Sequence, residues 1–105
     1  MAGKWVAVLP LETLRDGGMA EVEAEGRPVL LARQGGEVHA SSATCPHKFG
    51  PLADGVLEGT RLTCPMHAAT FDLTTGRSLP GQEWAGTLQL YPVRIVEGVV
   101  EVLVP

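Results

Sequence analysis

No asparagine occurs in this chain, and it has only two cysteines, two lysines and five aromatic residues. Two cysteines cannot build the disulfide framework on which small secreted scaffolds rely. No run of basic residues exists and the formal net charge is −4, so nucleic acid is a poor partner. The apolar run near the start, Val6 to Leu9, is ended by Pro10. It is too short for a membrane span and no cleavage-site pattern follows it. The expectation is a cytoplasmic, unanchored protein. Missing asparagine and six arginines against two lysines are biases of thermophiles and of GC-rich genomes alike, and do not separate them.

What is present describes one folded unit. With 105 residues, 45% of them hydrophobic, the chain can bury a modest core as a single domain over 1–105. Its mild acidity has two readings, docking onto positively charged partners or plain solubility. Trp5 to Val8 reads as a strand, and Pro10 to Met19 has room for one helical turn at most before Gly17-Gly18. Glu21 to Glu25 alternates with period two, as a strand wet on one face does. A turn at Gly26-Arg27-Pro28 returns the chain through Val29 to Arg33, and Gln34 to Glu37 turns it again before Val38 to Ser41. Further on, Arg61 to Thr63 and Thr70 to Leu73 flank a short loop, Thr74 to Arg77 turn, and Leu79 to Gly86 is irregular. Leu88 to Val96 and Val99 to Val104 are the last strands, joined by the two-residue turn Glu97-Gly98. Short strands with Gly and Pro turns at this spacing predict an all-β sandwich or barrel.

The chemistry is concentrated in two clusters. Cys45-Pro46-His47 is followed, after sixteen residues, by Cys64-Pro65-Met66-His67. These hold every cysteine and two of the three histidines, the side chains that bind soft and borderline metals. A single zinc would accept such a quartet. Zinc fingers, however, usually pair like ligands, with the histidines on a helix, and Pro46 and Pro65 oppose a helix through either loop. A binuclear cluster with sulfur on one iron and imidazole on the other explains mixed ligands in both loops better.

On these residues the chain resembles the Rieske ferredoxins, over nearly its whole length. Both spacings and the gap agree with that family, as do Gly50, Leu52, Gly55, Gly59, Phe71-Asp72, Thr75-Gly76 and Pro80. The resemblance implies a Rieske iron-sulfur fold: an antiparallel β-sandwich or barrel-like base with a cluster-binding part of two loops, at about 43–82. It implies one [2Fe–2S] cluster held by Cys45, His47, Cys64 and His67, the cysteines on the iron that stays ferric and the histidines on the redox-active iron. Neutral histidines leave the oxidised cluster uncharged, so it accepts an electron more readily than an all-cysteine cluster does.

The implied function is that of a monomeric one-electron carrier and not of an enzyme by itself. Its expected partners are an NAD(P)H-dependent flavoprotein reductase as donor and a terminal oxygenase, such as a ring-hydroxylating dioxygenase, as acceptor, both bound transiently. High-potential respiratory relatives carry an extra cysteine in each loop, a serine and a tyrosine where this chain has Gly50, Met66, Ala69 and Phe71. That departure predicts the low-potential branch. Two other classes stand beside this one: a small Rieske subunit of a nitrite reductase-like complex, and a zinc-stabilised binding module.

Other residues are read more plainly. His39 is expected to be structural, and Trp5 and Trp84 to be packing anchors. Met66 would fill the space of the missing disulfide. Lys48, Phe49 and Pro51 suit a docking rim or local packing equally. Pro80 suits a loop shielding the cluster, or an ordinary rigid turn.

Overall fold

Val29, Leu30, Leu31 and Ala32 form a continuous apolar run, and all four are buried. Side chains alternate across a strand, so such a run needs cover on both faces. A computed structural model, which describes residues 3–46, 50–65 and 68–105, supplies it. Val29 and Leu31 face one core, with Leu14, Ala24, Ala40, Tyr91, Val100, Val102 and Val104. Leu30 and Ala32 face another, shared with both cysteines.

Ten strands build these layers among the described residues: β1 (Lys4–Pro10), β2 (Met19–Ala24), β3 (Arg27–Gln34), β4 (Glu37–Ser42), β5 (Val56–Glu58), β6 (Arg61–Thr63), β7 (Thr70–Asp72), β8 (Leu90–Tyr91), β9 (Val93–Val96) and β10 (Val99–Val104). They pair antiparallel in three sheets, ordered β1-β10-β9, β2-β3-β4-β8 and β5-β6-β7. The first two sheets enclose the base core, into which β10 turns Val100, Val102 and Val104. The third is the small sheet that carries the second cysteine loop. No helix among the described residues is long and apolar enough to cross a membrane.

Two expectations are corrected and one strand is added. The turn before β3 is Glu25-Gly26, with φ of 52° and 80°, so Arg27 and Pro28 already belong to the strand. Pro28 is tolerated there because β4 pairs only from Val29 onward, and no ladder donor is needed at Pro28 on that side. The stretch Leu88 to Val96 is not one strand. Pro92 divides it, so that β8 pairs with β4 in one sheet and β9 with β10 in the other. Finally, Val56–Glu58 is a strand that the sequence pattern did not mark, since half-exposed Leu57 is flanked by exposed Val56 and Glu58. The turn at Glu97-Gly98 is as expected, with φ of 50° and 77°.

The division of β3 between two cores makes a prediction. Leu30→Ala and Leu31→Ala each destabilise the fold by about 3 kcal/mol in urea unfolding, as buried Leu→Ala changes do. Only Leu30→Ala also perturbs the surroundings of the cysteines, and so alters the visible spectrum of the folded protein.

Candidate metal centre

The two cysteine loops are built alike. The Cys45 N–H donates to the Gly50 carbonyl at 2.9 Å, and the Cys64 N–H donates to the Ala69 carbonyl at 2.7 Å. Each acceptor stands five positions beyond its cysteine, so each loop is pinched shut at its base. The first is narrowed further by Leu52 N–H donating to Ala43 O at 3.0 Å and by the Thr44–Pro51 bridge. The second is the tip of the β6-β7 hairpin, in which Thr63 faces Thr70. Both cysteines are buried, at 0% and 2% exposure, and no disulfide joins them.

A third segment lies across these loops. Its ends meet where the Leu88 N–H donates to Gly76 O at 2.7 Å. Between them, Leu79-Pro80-Gly81-Gln82 forms a turn closed by Gln82 N–H donating to Leu79 O at 2.9 Å, with Gly81 at φ 89°. Proline second and glycine third is the type II pattern, so Pro80 has its turn role. A single 3₁₀ turn, Glu83–Ala85, follows, and buried Ala85 joins the core that holds both cysteines. Gly86, at φ 86°, faces the Pro46 ring closely: an added Cβ would lie 3.4 Å from it. The segment therefore reaches the first loop through Gly86 and the second through Thr70, whose carbonyl accepts from Leu79 N–H at 3.0 Å.

Of the sequence-predicted site residues, the structure brings Cys45 and Cys64 together in one packed core. His47 and His67, and with them Lys48, Phe49 and Met66, lie outside the described residues. Pro51 is exposed and bridges Thr44 at the neck of the first loop. His39 sits on β4 outside the cysteine core; its Nε2 is buried without a hydrogen-bond partner among the described residues, 3.9 Å from Glu37 Oε1. Trp5, expected as a packing anchor, is half-buried, its ring centroid 4.2 Å from the Arg94 guanidinium carbon. Trp84 is not a core anchor: it is 53% exposed, and its neighbour Ala85 is the buried residue. Asp72 holds the turn after β7, its Oδ1 accepting from the Thr74 hydroxyl at 2.6 Å and Thr74 N–H at 2.8 Å. Those bonds keep its carboxyl below the ordinary carboxylate range.

The donor set fits an iron–sulfur cluster of low net charge. Both thiols belong to one buried cluster with Ala43, Leu52, Leu62, Ala69, Phe71 and Ala85. A bare thiolate is costly in such surroundings and is stabilised by metal coordination. Among the described residues no group of three or more potential ligands is assembled. Gln82 was not singled out in the sequence. The Leu-Pro-Gly-Gln turn pattern was visible there, but not the use of the glutamine side chain.

Comparison with known proteins agrees with this geometry. Residues 4–92 match the Rieske [2Fe-2S] domain. The chain is 34% identical over 95 residues to the ferredoxin component of a naphthalene 1,2-dioxygenase system of Pseudomonas aeruginosa, covering 90% of each. Among solved structures, a Sphingomonas yanoikuyae B1 ferredoxin superposes with a TM-score of 0.87 at 27% identity, over 97% of this chain and 100% of that one. A chain from the complex of reduced oxygenase and oxidised ferredoxin in carbazole 1,9a-dioxygenase gives a TM-score of 0.86 at 28% identity, over 94% and 92%. With its all-β antiparallel sheets, paired cysteine loops and one [2Fe–2S] cluster as cofactor, the chain belongs to the Rieske [2Fe–2S] family.

Proposed function

We propose that this ferredoxin carries single electrons from an NAD(P)H-dependent flavoprotein reductase to a terminal oxygenase, with Cys45, His47, Cys64 and His67 as the ligands of its cluster. The observation that carries the ligand assignment is the pair of pinched loops that bury both cysteines in one apolar core. His47 follows Cys45 by two positions and His67 follows Cys64 by three, so each histidine falls inside a pinched loop in the sequence. The cluster supplies one-electron redox chemistry; the chain holds it, keeps its surroundings apolar and limits access to it. The acceptor class is supported by relatives that include a ferredoxin component of a naphthalene 1,2-dioxygenase system and a chain from a complex of oxygenase and ferredoxin. The proposal includes a flavoprotein reductase as donor, a cytoplasmic location and a monomeric state. Small, transient contacts suit a carrier that must release both partners quickly.

The surroundings of the cluster also support a low midpoint potential. Ala69 and Phe71 are fully buried and neither offers a hydroxyl to a cluster sulfur. Hydrogen bonds to those sulfurs favour the reduced state, so their lack leaves the potential in the lower part of the family range of about −150 to +300 mV. Electron paramagnetic resonance of the reduced protein, with iron and acid-labile sulfide analysis, tests the cluster. A potentiometric titration tests the branch, and a midpoint well above zero overturns it. Zinc without sulfide in a colourless protein overturns the carrier reading altogether.

A further inference from the structure

We propose that Gln82 is a positioning residue, whose side-chain carboxamide ties the covering segment to the second cysteine loop and so keeps water from the cluster. The inference rests on the cluster reading above and adds a role within it.

The geometry begins with the ladder of the β6-β7 hairpin. The Cys64 N–H bonds to Ala69 O across that hairpin, while the N–H and carbonyl of Thr70 point outward from it. Both outward groups are met by the covering segment. The Thr70 carbonyl accepts from Leu79 N–H at 3.0 Å, and the Thr70 N–H donates to Gln82 Oε1 at 2.8 Å. A neighbouring strand would supply both partners from its backbone. Here the chain turns away at Pro80-Gly81, and the glutamine side chain stands in for the missing carbonyl.

Gln82 is held at three points. Besides the side-chain bond, its N–H donates to Leu79 O at 2.9 Å and its carbonyl accepts from Ala85 N–H at 2.8 Å. The second bond fixes the turn and the third fixes the 3₁₀ turn that places Ala85 in the cysteine core and Gly86 against Pro46. A displacement at Gln82 is therefore passed directly to the residues that lie over the first loop. Without Oε1, the partly buried Thr70 N–H loses its partner and water becomes the replacement.

The cost of that water is read at the cluster. Reduction makes the cluster more negative, and solvent stabilises the more negative state, so greater exposure raises the midpoint potential. It also opens a path for chelators. The experiment uses the purified holoprotein and compares Gln82→Met, which keeps length and loses the acceptor, with Gln82→Glu, which keeps the acceptor. The expected result for Gln82→Met is a raised potential, faster bleaching of the visible spectrum under a ferrous chelator, and Thr70 amide exchange ~10-fold faster or more. In Gln82→Glu the bleaching and exchange rates return to those of the unsubstituted protein, while the added carboxylate lowers the potential. A Gln82→Met protein with unchanged potential and bleaching overturns the proposal, even if its melting temperature falls, because a purely structural turn residue gives that pattern. Failure of Gln82→Glu to restore the bleaching rate overturns it too. If the cluster reading itself is wrong, the unsubstituted protein already lacks iron and sulfide, and the Thr70 exchange contrast still decides whether the tether exists.

Discussion

Replacing Cys45 or Cys64 by serine, or by alanine, yields a colourless protein without iron, acid-labile sulfide or a reduced-state paramagnetic signal. The size of the effect follows from burial. Both side chains are almost wholly inside, in a core with no other described metal-binding side chain. Serine is nearly isosteric but its hydroxyl does not ionise near neutral pH, so no charged donor replaces the thiolate. If the cysteines were merely small buried hydrophobes, the same substitutions would cost about 1–3 kcal/mol and leave metal content untouched. Metal analysis and visible absorption of the purified variants separate these outcomes. Loss at one cysteine alone, with full iron retained at the other, would remove the two-loop account.

Gly55→Ala destabilises the fold by about 3 kcal/mol or more and lowers the cluster content of the purified protein. The backbone of Gly55, at φ −83°, is open to any residue, so the effect is steric. A Cβ there would lie 2.1 Å from the Thr63 carbonyl oxygen and 3.1 Å from that of Leu52. Thr63 is the last residue of β6 and directly precedes Cys64. Making room pushes the second cysteine loop as well as the small sheet. Gly59→Ala is the control. Gly59 has φ 63° but nothing within 4 Å of an added Cβ, so alanine there costs about 1 kcal/mol of backbone strain and leaves the cluster in place. Urea midpoints, read with iron content, test both. Equal losses at the two glycines would refute the steric account.

Much of this architecture is legible in the residues. The period-two pattern from Glu21 and the Glu97-Gly98 turn specify a strand and a hairpin through local chemistry, and the structure has both, with the strand ending at Ala24. The paired Cys-x-His and Cys-x-x-His spacings marked the cysteine loops without any knowledge of the fold. What escaped depends on partners distant in sequence. Pro92 marks a break in the apolar stretch, but nothing local records that β8 and β9 answer to different sheets. Trp84 looked like core by its size, yet the 3₁₀ turn buries Ala85 instead. Gln82 has no compositional signal at all: its importance is set by which way Thr70 points. The histidine half of the ligand set rests on spacing and kinship, since His47 and His67 lie outside the described residues.

The doubly buried run of β3 has a consequence for how the chain finds its alignment. Where one face of a strand is wet, sliding by one residue is punished at once by exposing oily side chains. Val29 to Ala32 offers no such penalty, because either set of alternate residues would suit either interior. Alignment must then be imposed from outside the run, by the tight reversals at Glu25-Gly26 and Gly35-Gly36 that clamp its two ends. The fidelity of a strand buried on both faces is thus entrusted to glycines at its margins, and through Leu30 and Ala32 so is the wall on which the cysteines rest.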